Sequence, residues 1–508
     1  MSRRVLVTAA LPYANGPIHV GHMLEAIQTD VYVRARQLAG EDVVFMWADD
    51  THGTPVQARA LREGRPPEDI IAEAYEEHVS VYRDFGIGFD IFHSTHSPEN
   101  EHHAGEIFRA MEANGYVSAR DVEQFYCPHD KMFLPDRFVR GVCPKCGAPD
   151  QYGDSCEKCG STYASTELGE PACALCGTTP IRRSTEHLFV SLAPFEEFLR
   201  QWIHEDGGRL QPTVRNYVLG WIENGLREWD ISRDAPYFGI EIPGHPGKYF
   251  YVWFDAPVGY ISATDKWARD GGHDFAAYWQ STPDDTEIVH VIGKDIVYFH
   301  CLFWPAMLKA SGYTVPSRVQ VHGWVMVNGE KMSKSRGTFI TARTYLEHAP
   351  AAYMRYYYAS KLNSGQDDLD LSFEDFVNKV NAELVNKAAN LASRCIKFIG
   401  TRLEGRLGEL PADAAEFAQQ IRARLRDAPT HYQAFESSKA VRGAVEVAEI
   451  ANLYVTEQAP WKLAKTDPER ARCAVSGCGP VRWSRRYSSR CCPSGPNGSS
   501  GCSSSLSH

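Results

Sequence analysis

A hydrophobic strand, an amphipathic helix and a second hydrophobic strand fill the first 50 residues, and this pattern restricts the fold more than any other feature. The segments RVLVTAA, from Arg4, and DVVFMWADD, from Asp42, are apolar almost throughout, as strands covered on both faces are. Between them, a segment with apolar residues at helical spacing ends at Gly40, a favourable helix stop. Such a strand–helix–strand unit is right-handed and parallel, so the sequence predicts an α/β fold with a parallel sheet.

Two loops at the predicted carboxyl ends of these strands are candidates for a binding site, because ligands of parallel sheets bind there. LPYANGPIHVGH follows the first strand, and Asp49 and Asp50 end the second. His19 and His22 face the same side at the start of the helix, and Gly21 allows a ligand to approach the backbone. A helix N-terminus favours phosphate, although two incidental surface histidines would give the same pattern.

A basic loop, KMSKSRGT, follows another predicted strand late in the chain and spans Lys331 to Thr338. Five consecutive positions of this loop, KMSKS, hold two lysines and two serines. Taken alone, such a loop is more often a solvated surface segment than a phosphate site.

Paired cysteines give the clearest indication of a metal. CPKCGAPDQYGDSCEKCG has two C-x-x-C pairs with nine residues between them, which suits structural tetrahedral Zn²⁺; the alternative is four unliganded thiols. The first set of ligands is Cys143, Cys146, Cys156 and Cys159. A second pair, Cys173 and Cys176, lacks a cysteine pair as its partner. Cys127 with His129 or Asp130 offers a second zinc site, or else this is a knuckle that has lost its metal.

Composition narrows the class of protein. The 508 residues have a formal net charge of -11, which argues against a nonspecific nucleic-acid binder. No apolar stretch approaches the roughly 20 residues that span a bilayer, and the N-terminus lacks the features of a signal peptide. The sequence therefore predicts a protein of several domains in the cytoplasm, without a membrane partner.

PIHVGH early and KMSKS late, each after a strand, resemble the class I aminoacyl-tRNA synthetases. Over about residues 4 to 472, further segments resemble the methionyl-tRNA synthetases of the zinc-containing bacterial and archaeal type: ALPYANGPIHVGH, FLPDRFV, WDISRDAPYFG, YVWFDAPVGY, GKDIVYFH and NKAANLASR. This resemblance implies an α/β fold with a Rossmann-like parallel-sheet catalytic domain, a zinc-knuckle insertion and an α-helical bundle that binds the anticodon.

The resemblance also implies the reaction. ATP and L-methionine would give methionyl-adenylate and pyrophosphate, and methionine would pass to the 3′ end of initiator and elongator tRNA(Met), releasing AMP. Mg²⁺ would accompany ATP, and the protein would be a monomer. The alternatives are a class I synthetase for another aliphatic amino acid, a nucleotidyltransferase that never meets tRNA, and a non-catalytic zinc-dependent RNA-binding protein.

Site residues follow from the same resemblance. The catalytic residues would be His19, His22, Lys331 and Lys334. ATP would be bound by Pro12, His19, Gly21, His22, Lys331, Met332, Ser333, Lys334 and Ser335. Methionine would be bound by Leu11, Tyr13, Asp50, Trp253, Ala256, Pro257, Tyr260, Ile296 and His300, with Asp50 on the α-ammonium. The second metal set would be Cys127, Asp130, Cys173 and Cys176. The anticodon would be read by Asn390, Arg394 and Trp461.

Domain boundaries are predicted from changes in sequence character. The catalytic domain would comprise residues 1–114 and 229–325, interrupted by the insertion, 115–228. The lysine loop and stem-contact region would cover 326–375, and the helical domain, predicted to be incomplete, 376–472. Residues 473–508 are rich in Ser, Gly, Cys and Arg and are predicted to be disordered. Because helical periodicity breaks off without a cap near Arg472, a frameshift is our hypothesis for this tail, and resequencing would test it.

Overall fold

The computed structural model describes residues 3–153, 155–156, 158–204, 208–282, 284–332, 338–409 and 414–476. The chain forms two compact units. The first runs to Ser372 and also includes Tyr432–Ser437; the second comprises Phe373–His431 and the described residues from Ser438 onward. The predicted boundary between residues 375 and 376 lies three residues beyond this division.

The described residues form the following strands: β1 (Arg4–Ala9), β2 (Asp42–Asp49), β3 (Ile91–Ser94), β4 (Val117–Cys127), β5 (Met132–Phe133), β6 (Val139–Val142), β7 (Gln151–Tyr152), β8 (Gly169–Cys173), β9 (Ile181–Val190), β10 (Trp229–Asp230), β11 (Ser232–Asp234), β12 (Lys248–Phe250), β13 (Thr286–Gly293), β14 (Arg318–His322), β15 (Val325–Val327), β16 (Glu330–Lys331) and β17 (Leu369–Leu371).

They also form these helices: α1 (Val20–Leu38), α2 (Thr54–Glu63), α3 (Pro67–Asp84), α4 (Pro98–Ala113), α5 (Glu196–His204), α6 (Pro212–Glu223), α7 (Val252–Asp255), α8 (Gly259–Gly271), α9 (Ala276–Trp279), α10 (Trp304–Ser311), α11 (Ala342–His348), α12 (Ala351–Lys361), α13 (Phe373–Lys379), α14 (Asn390–Arg402), α15 (Ala415–Leu425), α16 (Ala428–Gln433), α17 (Ser437–Gln458), α18 (Pro460–Thr466) and α19 (Pro468–Ser476). Phe299–Phe303 and Val380–Ala389 are π-helical.

The centre of the first unit is a parallel sheet of five strands in the order β14-β13-β1-β2-β3. Leu6 in β1 lies opposite Ile288 in β13 and Val44 in β2, and all three are buried. Each buried side chain of this size contributes roughly 1.5–3 kcal/mol of transfer free energy. The apolar runs in the sequence are explained by this position, because helices cover both faces of the sheet. The predicted parallel α/β fold is confirmed.

One apolar segment after the insertion does not join this sheet. KYFYVWFDAP contributes only the short strand β12, which pairs antiparallel with β11, and then turns into α7. The run is apolar because Phe250 and Phe254 are buried in the core, and burial alone does not distinguish a strand from a helix.

The insertion has its own small sheets. Strands β4 and β9 form a long antiparallel pair, with β10 and β5 at the edges, and β7-β6-β8 form a second sheet beside the cysteines. Two helices of the insertion carry a tryptophan: Trp202 in α5 is buried, whereas Trp221 in α6 is partly exposed.

The second unit is helical. Its core includes Leu391, Phe417, Tyr454 and Val475. Helix α19 continues to Ser476, so the described fold extends four residues past the predicted end of this domain at Arg472. The remainder of the predicted tail, residues 477–508, lies outside the described part of the chain. No helix among the described residues is long and apolar enough to cross a membrane.

Candidate active site

A cavity of about 570 Å³ lies at the carboxyl ends of β1, β2, β13 and β14. The structure brings together around it every residue predicted to bind methionine: Leu11, Tyr13, Asp50, Trp253, Ala256, Pro257, Tyr260, Ile296 and His300. The same cavity is lined by these residues predicted to bind ATP: Pro12, His19, Gly21, His22, Lys331 and Met332. Ser333, Lys334 and Ser335 lie outside the described residues.

Asp50 presents an unused carboxylate oxygen in this cavity. The side chain is buried; the backbone N–H of His52 donates to the carboxylate, but Oδ1 has no hydrogen-bond partner among the described residues. Burial, together with the nearby carboxylate of Asp255, raises the pKa of Asp50 well above its usual value. A buried carboxylate is costly unless a cation or donors satisfy it, so this position suits an ammonium group.

The aromatic wall of the cavity is preassembled. The rings of Trp253 and Phe299 stack with centroids 4.3 Å apart and planes 2° apart. Trp229 packs against Phe299 from outside. These contacts fix the indole of Trp253 before any ligand arrives, and its face offers an apolar surface to a hydrocarbon or thioether chain.

Tyr260 and His300 form a closed hydrogen-bond chain at the deep end of the cavity. His300 Nδ1 lies 3.2 Å from the carbonyl oxygen of Ile296 and donates to it. His300 Nε2 therefore accepts from the Tyr260 hydroxyl, 2.9 Å away. Burial lowers the pKa of His300 to about 4, so the ring is neutral. The Tyr260 hydroxyl and the His300 ring N–H are thus both engaged within the protein, and the surface that they present to the cavity is uncharged.

His19 and His22 are oriented by the start of α1. His19 Nδ1 accepts from the Gly21 N–H at 3.1 Å, and His22 Nδ1 accepts from the His19 N–H at 3.3 Å. The two rings stack with centroids 3.7 Å apart. Burial and the nearby His19 lower the pKa of His22 well below its usual value. Because Nδ1 accepts in both, each neutral ring carries its proton on Nε2 and is a donor there.

Gly21 permits close packing beside these histidines. A Cβ at this position would lie 2.6 Å from Met332 Cε and 2.9 Å from the His19 ring.

Lys331 and Lys294 hold their Nζ atoms 4.6 and 4.4 Å from the ring centroid of Trp324. Lys294 is paired with Asp368 at 2.6 Å, so Lys331 supplies the positive charge beside the Trp324 ring, and a cation next to an aromatic face suits a nucleotide.

Several cavity residues were not predicted from the sequence: Glu25, Gly293, Asp295, His322 and Trp324. Glu25 Oε2 lies 3.1 Å from His322 Nε2, and His322 Nδ1 donates to the Gly323 carbonyl oxygen. Burial raises the pKa of Glu25. Strands β13 and β14 end within the segments EIVHVIGKD and RVQVHGW. Ligands of parallel sheets bind at the carboxyl ends of the strands, so the rule that identified the loops after β1 and β2 applies equally to these two segments.

Four cysteines converge in the insertion. The Sγ atoms of Cys143, Cys146, Cys156 and Cys159 all lie within 4.8 Å of one another. Two of the separations are 3.9 Å and 3.6 Å, close to the roughly 3.8 Å that tetrahedral Zn–S bonds of about 2.3 Å require. The residues fit zinc. Backbone N–H groups within the pairs donate to sulfur, for example Lys145 N to Cys143 Sγ.

A second cluster of four potential metal ligands is as compact as the first, but one of its four residues is an aspartate instead of a cysteine. Cys127, Asp130, Cys173 and Cys176 also place their ligand atoms within 4.8 Å of one another. Asp130 Oδ2 lies 3.2 Å from Cys127 Sγ and 3.1 Å from Cys173 Sγ. His129, the alternative ligand, has 68% of its side chain exposed and bonds to Asp130 through Oδ1. The donor set fits zinc with three thiolates and one carboxylate.

In the helical unit, the three residues predicted to read the anticodon lie on neighbouring helices. Asn390 and Arg394 are one turn apart in α14, and the Arg394 guanidinium lies 5.3 Å from the Trp461 ring centroid. Trp461 is 41% exposed, so it is not a core residue. An exposed indole beside a guanidinium and an amide is able to stack and hydrogen-bond an unpaired base.

Comparison with known families matches most of the chain. The family described as "tRNA synthetases class I (M)" matches residues 5–396. The family described as "Anticodon binding domain of methionyl tRNA ligase" matches residues 405–478.

Individual relatives agree with these matches. The methionine–tRNA ligase of Myxococcus xanthus is 47% identical over 487 residues, which cover 95% of this chain and 69% of the relative. Two structures of Mycobacterium tuberculosis methionyl-tRNA synthetase, both with methionyl-adenylate, superpose with a TM-score of 0.74 at 26% identity. They cover 94% of this chain, which in turn covers 89% and 88% of theirs.

Proposed function

This chain belongs to the methionyl-tRNA synthetase family, and on that premise we propose how its described residues divide the work. It catalyses the methionine–tRNA ligase reaction: methionine and ATP give methionyl-adenylate and pyrophosphate, and the methionyl group passes to the 3′ end of tRNA(Met) with release of AMP. The assignment of residues to each step rests on one observation: one cavity at the carboxyl end of the sheet gathers the predicted methionine set and six of the nine residues predicted to bind ATP.

Methionine lies, in this proposal, with its α-ammonium on Asp50. Asp50 is the only residue of the predicted methionine set with an anionic side chain, which can pair with a cation. Its Oδ1 has no hydrogen-bond partner among the described residues. The thioether chain packs on Trp253 and ends against Tyr260 and His300. An uncharged, closed hydrogen-bond chain at this end accepts a weakly polar sulfur and rejects a charged side chain.

ATP occupies the other end, over the start of α1. The methionine carboxylate is already ionised at neutral pH, so attack on the α-phosphorus needs no strong general base. His19 and His22 donate through Nε2 to phosphate oxygens, where negative charge develops as the P–O bond to pyrophosphate breaks. Lys331 adds positive charge at the mouth. Lys334, with Ser333 and Ser335, is proposed to contact the leaving pyrophosphate on the strength of the resemblance alone.

Mg²⁺ is proposed to enter with ATP, since it prefers oxygen ligands and usually binds through substrate phosphates. When bound, it would offset phosphate charge. Gly293 and Asp295, to which Sequence analysis gave no role, also line the cavity and are proposed to contact the nucleotide.

The protein binds tRNA through its anticodon-binding domain, as its family does. We propose that Asn390, Arg394 and Trp461 read the anticodon of initiator and elongator tRNA(Met), on the support of their grouping at one exposed site. We further propose that the protein acts as a monomer in the cytoplasm and that the predicted boundaries of the catalytic domain and its insertion hold.

Both cysteine-containing clusters are proposed to hold structural zinc. Each offers four ligands and no open coordination position, so the metal would stabilise the insertion and take no part in the reaction. We expect metal analysis of purified protein to give two equivalents of zinc. Cys146→Ala and Asp130→Ala should each retain one. A single equivalent in the wild type, unchanged in Asp130→Ala, would show that the second cluster is a knuckle without metal.

The experiment that tests the function is amino-acid-dependent ATP–pyrophosphate exchange across the twenty amino acids. Exchange with methionine alone is expected. Exchange with a different amino acid would preserve the adenylation chemistry and overturn the methionine pocket. Absence of exchange with every amino acid, with tRNA binding retained, would favour a binding protein instead.

A further inference from the structure

A buried histidine–aspartate pair lies directly behind the proposed methionine pocket and belongs to neither predicted set. His52 Nδ1 lies 2.5 Å from Asp255 Oδ2, and both side chains are fully buried. The two residues are 203 positions apart in the chain. A buried carboxylate of this kind requires a partner, so the contact is a strong constraint on where the two segments lie.

His52 connects this contact to the ammonium end of the pocket through its main chain. Its backbone N–H donates to the carboxylate of Asp50. Its carbonyl oxygen accepts from the Tyr13 hydroxyl at 2.5 Å. Asp50 and Tyr13 both line the cavity, so a shift of the His52 backbone would move both of them.

Asp255 connects the contact to the opposite wall. It ends the short helix α7 and lies between Trp253 and Ala256, which both line the cavity. The side-chain amide of Asn100 donates to the Asp255 carbonyl oxygen, which ties this turn to α4. Three cavity residues thus flank one buried carboxylate: Trp253, Ala256 and Pro257.

We infer that His52 and Asp255 are a positioning pair, which holds the segment carrying Asp50 against the segment carrying Trp253 and so sets the affinity for methionine. The inference rests on the proposed assignment of this cavity to methionine. Neither residue touches the reacting atoms. Loss of the contact should therefore raise the KM for methionine and leave kcat and the KM for ATP close to their original values.

The two ring nitrogens of His52 allow a matched pair of variants. Nδ1 faces Asp255, whereas Nε2 lies 3.1 Å from Nδ1 of His96. The amide of an asparagine reaches the position of Nδ1, and that of a glutamine the position of Nε2. His52→Asn keeps the contact with Asp255, and His52→Gln removes it while keeping a polar group toward His96.

A control of the same chemistry exists in the same unit. His103 Nε2 lies 2.9 Å from Asp265 Oδ2, and His103 Nδ1 lies 2.8 Å from the Tyr313 hydroxyl. Neither His103 nor Asp265 lines the cavity. His103→Asn removes that histidine–aspartate contact, because the asparagine amide does not reach the position of Nε2.

The test is steady-state ATP–pyrophosphate exchange at varied methionine and varied ATP for four variants, each checked by thermal melting. His52→Gln should raise the KM for methionine about tenfold with kcat within about threefold, and His52→Asn should stay close to wild type. His103→Asn should lower the melting temperature without moving either KM. Equal effects of His52→Gln and His52→Asn, or a change confined to kcat, would overturn the inference.

The fourth variant, Asp50→Asn, separates this inference from the proposed function. A raised methionine KM in Asp50→Asn with none in His52→Gln would refute the positioning pair alone. An unchanged methionine KM in Asp50→Asn would refute the assignment of the pocket itself.

Discussion

The two ends of the cavity are built differently. At the amino-acid end, side chains from distant parts of the chain fix one another: Tyr260 bonds His300, and Trp253 stacks on Phe299. At the nucleotide end, the donors are fixed locally, because His19 and His22 are bound by the backbone of their own helix start. Selection of a small apolar side chain requires a preformed shape, whereas phosphate requires donors and positive charge, which a helix N-terminus supplies.

If this division is correct, a change at one end should alter the kinetic constants of that end and leave those of the other end unchanged. Four experiments follow, in order of the expected effect.

The largest effect is expected at His22. His22→Asn keeps an acceptor for the His19 N–H but lacks a donor at the position of Nε2, so kcat should fall about 10²- to 10³-fold. His22→Gln places an amide near the position of Nε2 and should recover part of the loss. The KM for methionine should not change in either. Stopped-flow or exchange kinetics at saturating substrates measure this, and a similar kcat in the two variants would argue against a phosphate donor.

The next largest is expected at Asp50. Asp50→Asn removes the negative charge that faces the ammonium group, and the KM for methionine should rise about 100-fold. The KM for ATP should stay within about threefold, since the nucleotide end does not use this residue. A comparable rise in both constants would show that the two ends are not independent.

A pH effect of intermediate size follows from the same carboxyl. Burial and Asp255 raise the pKa of Asp50 in the empty protein, and a bound ammonium group would lower it again. Methionine therefore binds with loss of a proton at pH values below the raised pKa. Calorimetric titration should show affinity that is constant from that pKa up to the pH at which the methionine amino group loses its own proton, and that falls by up to about tenfold per pH unit below that pKa. Affinity that rises on acidification would contradict the assignment.

The smallest effect is expected at Tyr260. Tyr260→Phe removes the donor to His300 Nε2 and leaves a buried acceptor unsatisfied, so methionine affinity should fall about three- to tenfold. Discrimination against leucine should weaken by a similar factor. Tyr313→Phe, which alters a hydroxyl away from the cavity, should change neither quantity. An unchanged preference for methionine over leucine in Tyr260→Phe would place the sulfur contact elsewhere.

The difference between the two ends also explains what could be predicted from the sequence. The histidine part of the nucleotide end is local: a strand, HVGH and a helix are contiguous, so their spacing indicates their geometry. The cluster of Cys143, Cys146, Cys156 and Cys159 was predictable for the same reason, because two C-x-x-C pairs specify a tetrahedral site. The family resemblance supplied the methionine set, which spacing alone would not have given.

Contacts between distant segments were beyond prediction. His52 and Asp255 lie 203 residues apart, and nothing in the local pattern of either segment indicates that they meet. For the second cluster, spacing alone left His129 and Asp130 open, and only the resemblance indicated Asp130, whose Oδ2 lies beside the Sγ atoms of Cys127 and Cys173. The segment containing Trp253 was apolar enough for a strand, but the core accepts the same residues in a helical turn.

The most direct test is a crystal structure of this protein with a stable analogue of methionyl-adenylate. We predict that the α-ammonium group lies within hydrogen-bond distance of Asp50 Oδ1, the thioether sulfur against Tyr260 and His300, and the phosphate near Nε2 of His19 and His22. An analogue bound with its ammonium group away from Asp50, or with its phosphate away from the start of α1, would contradict the division of the cavity.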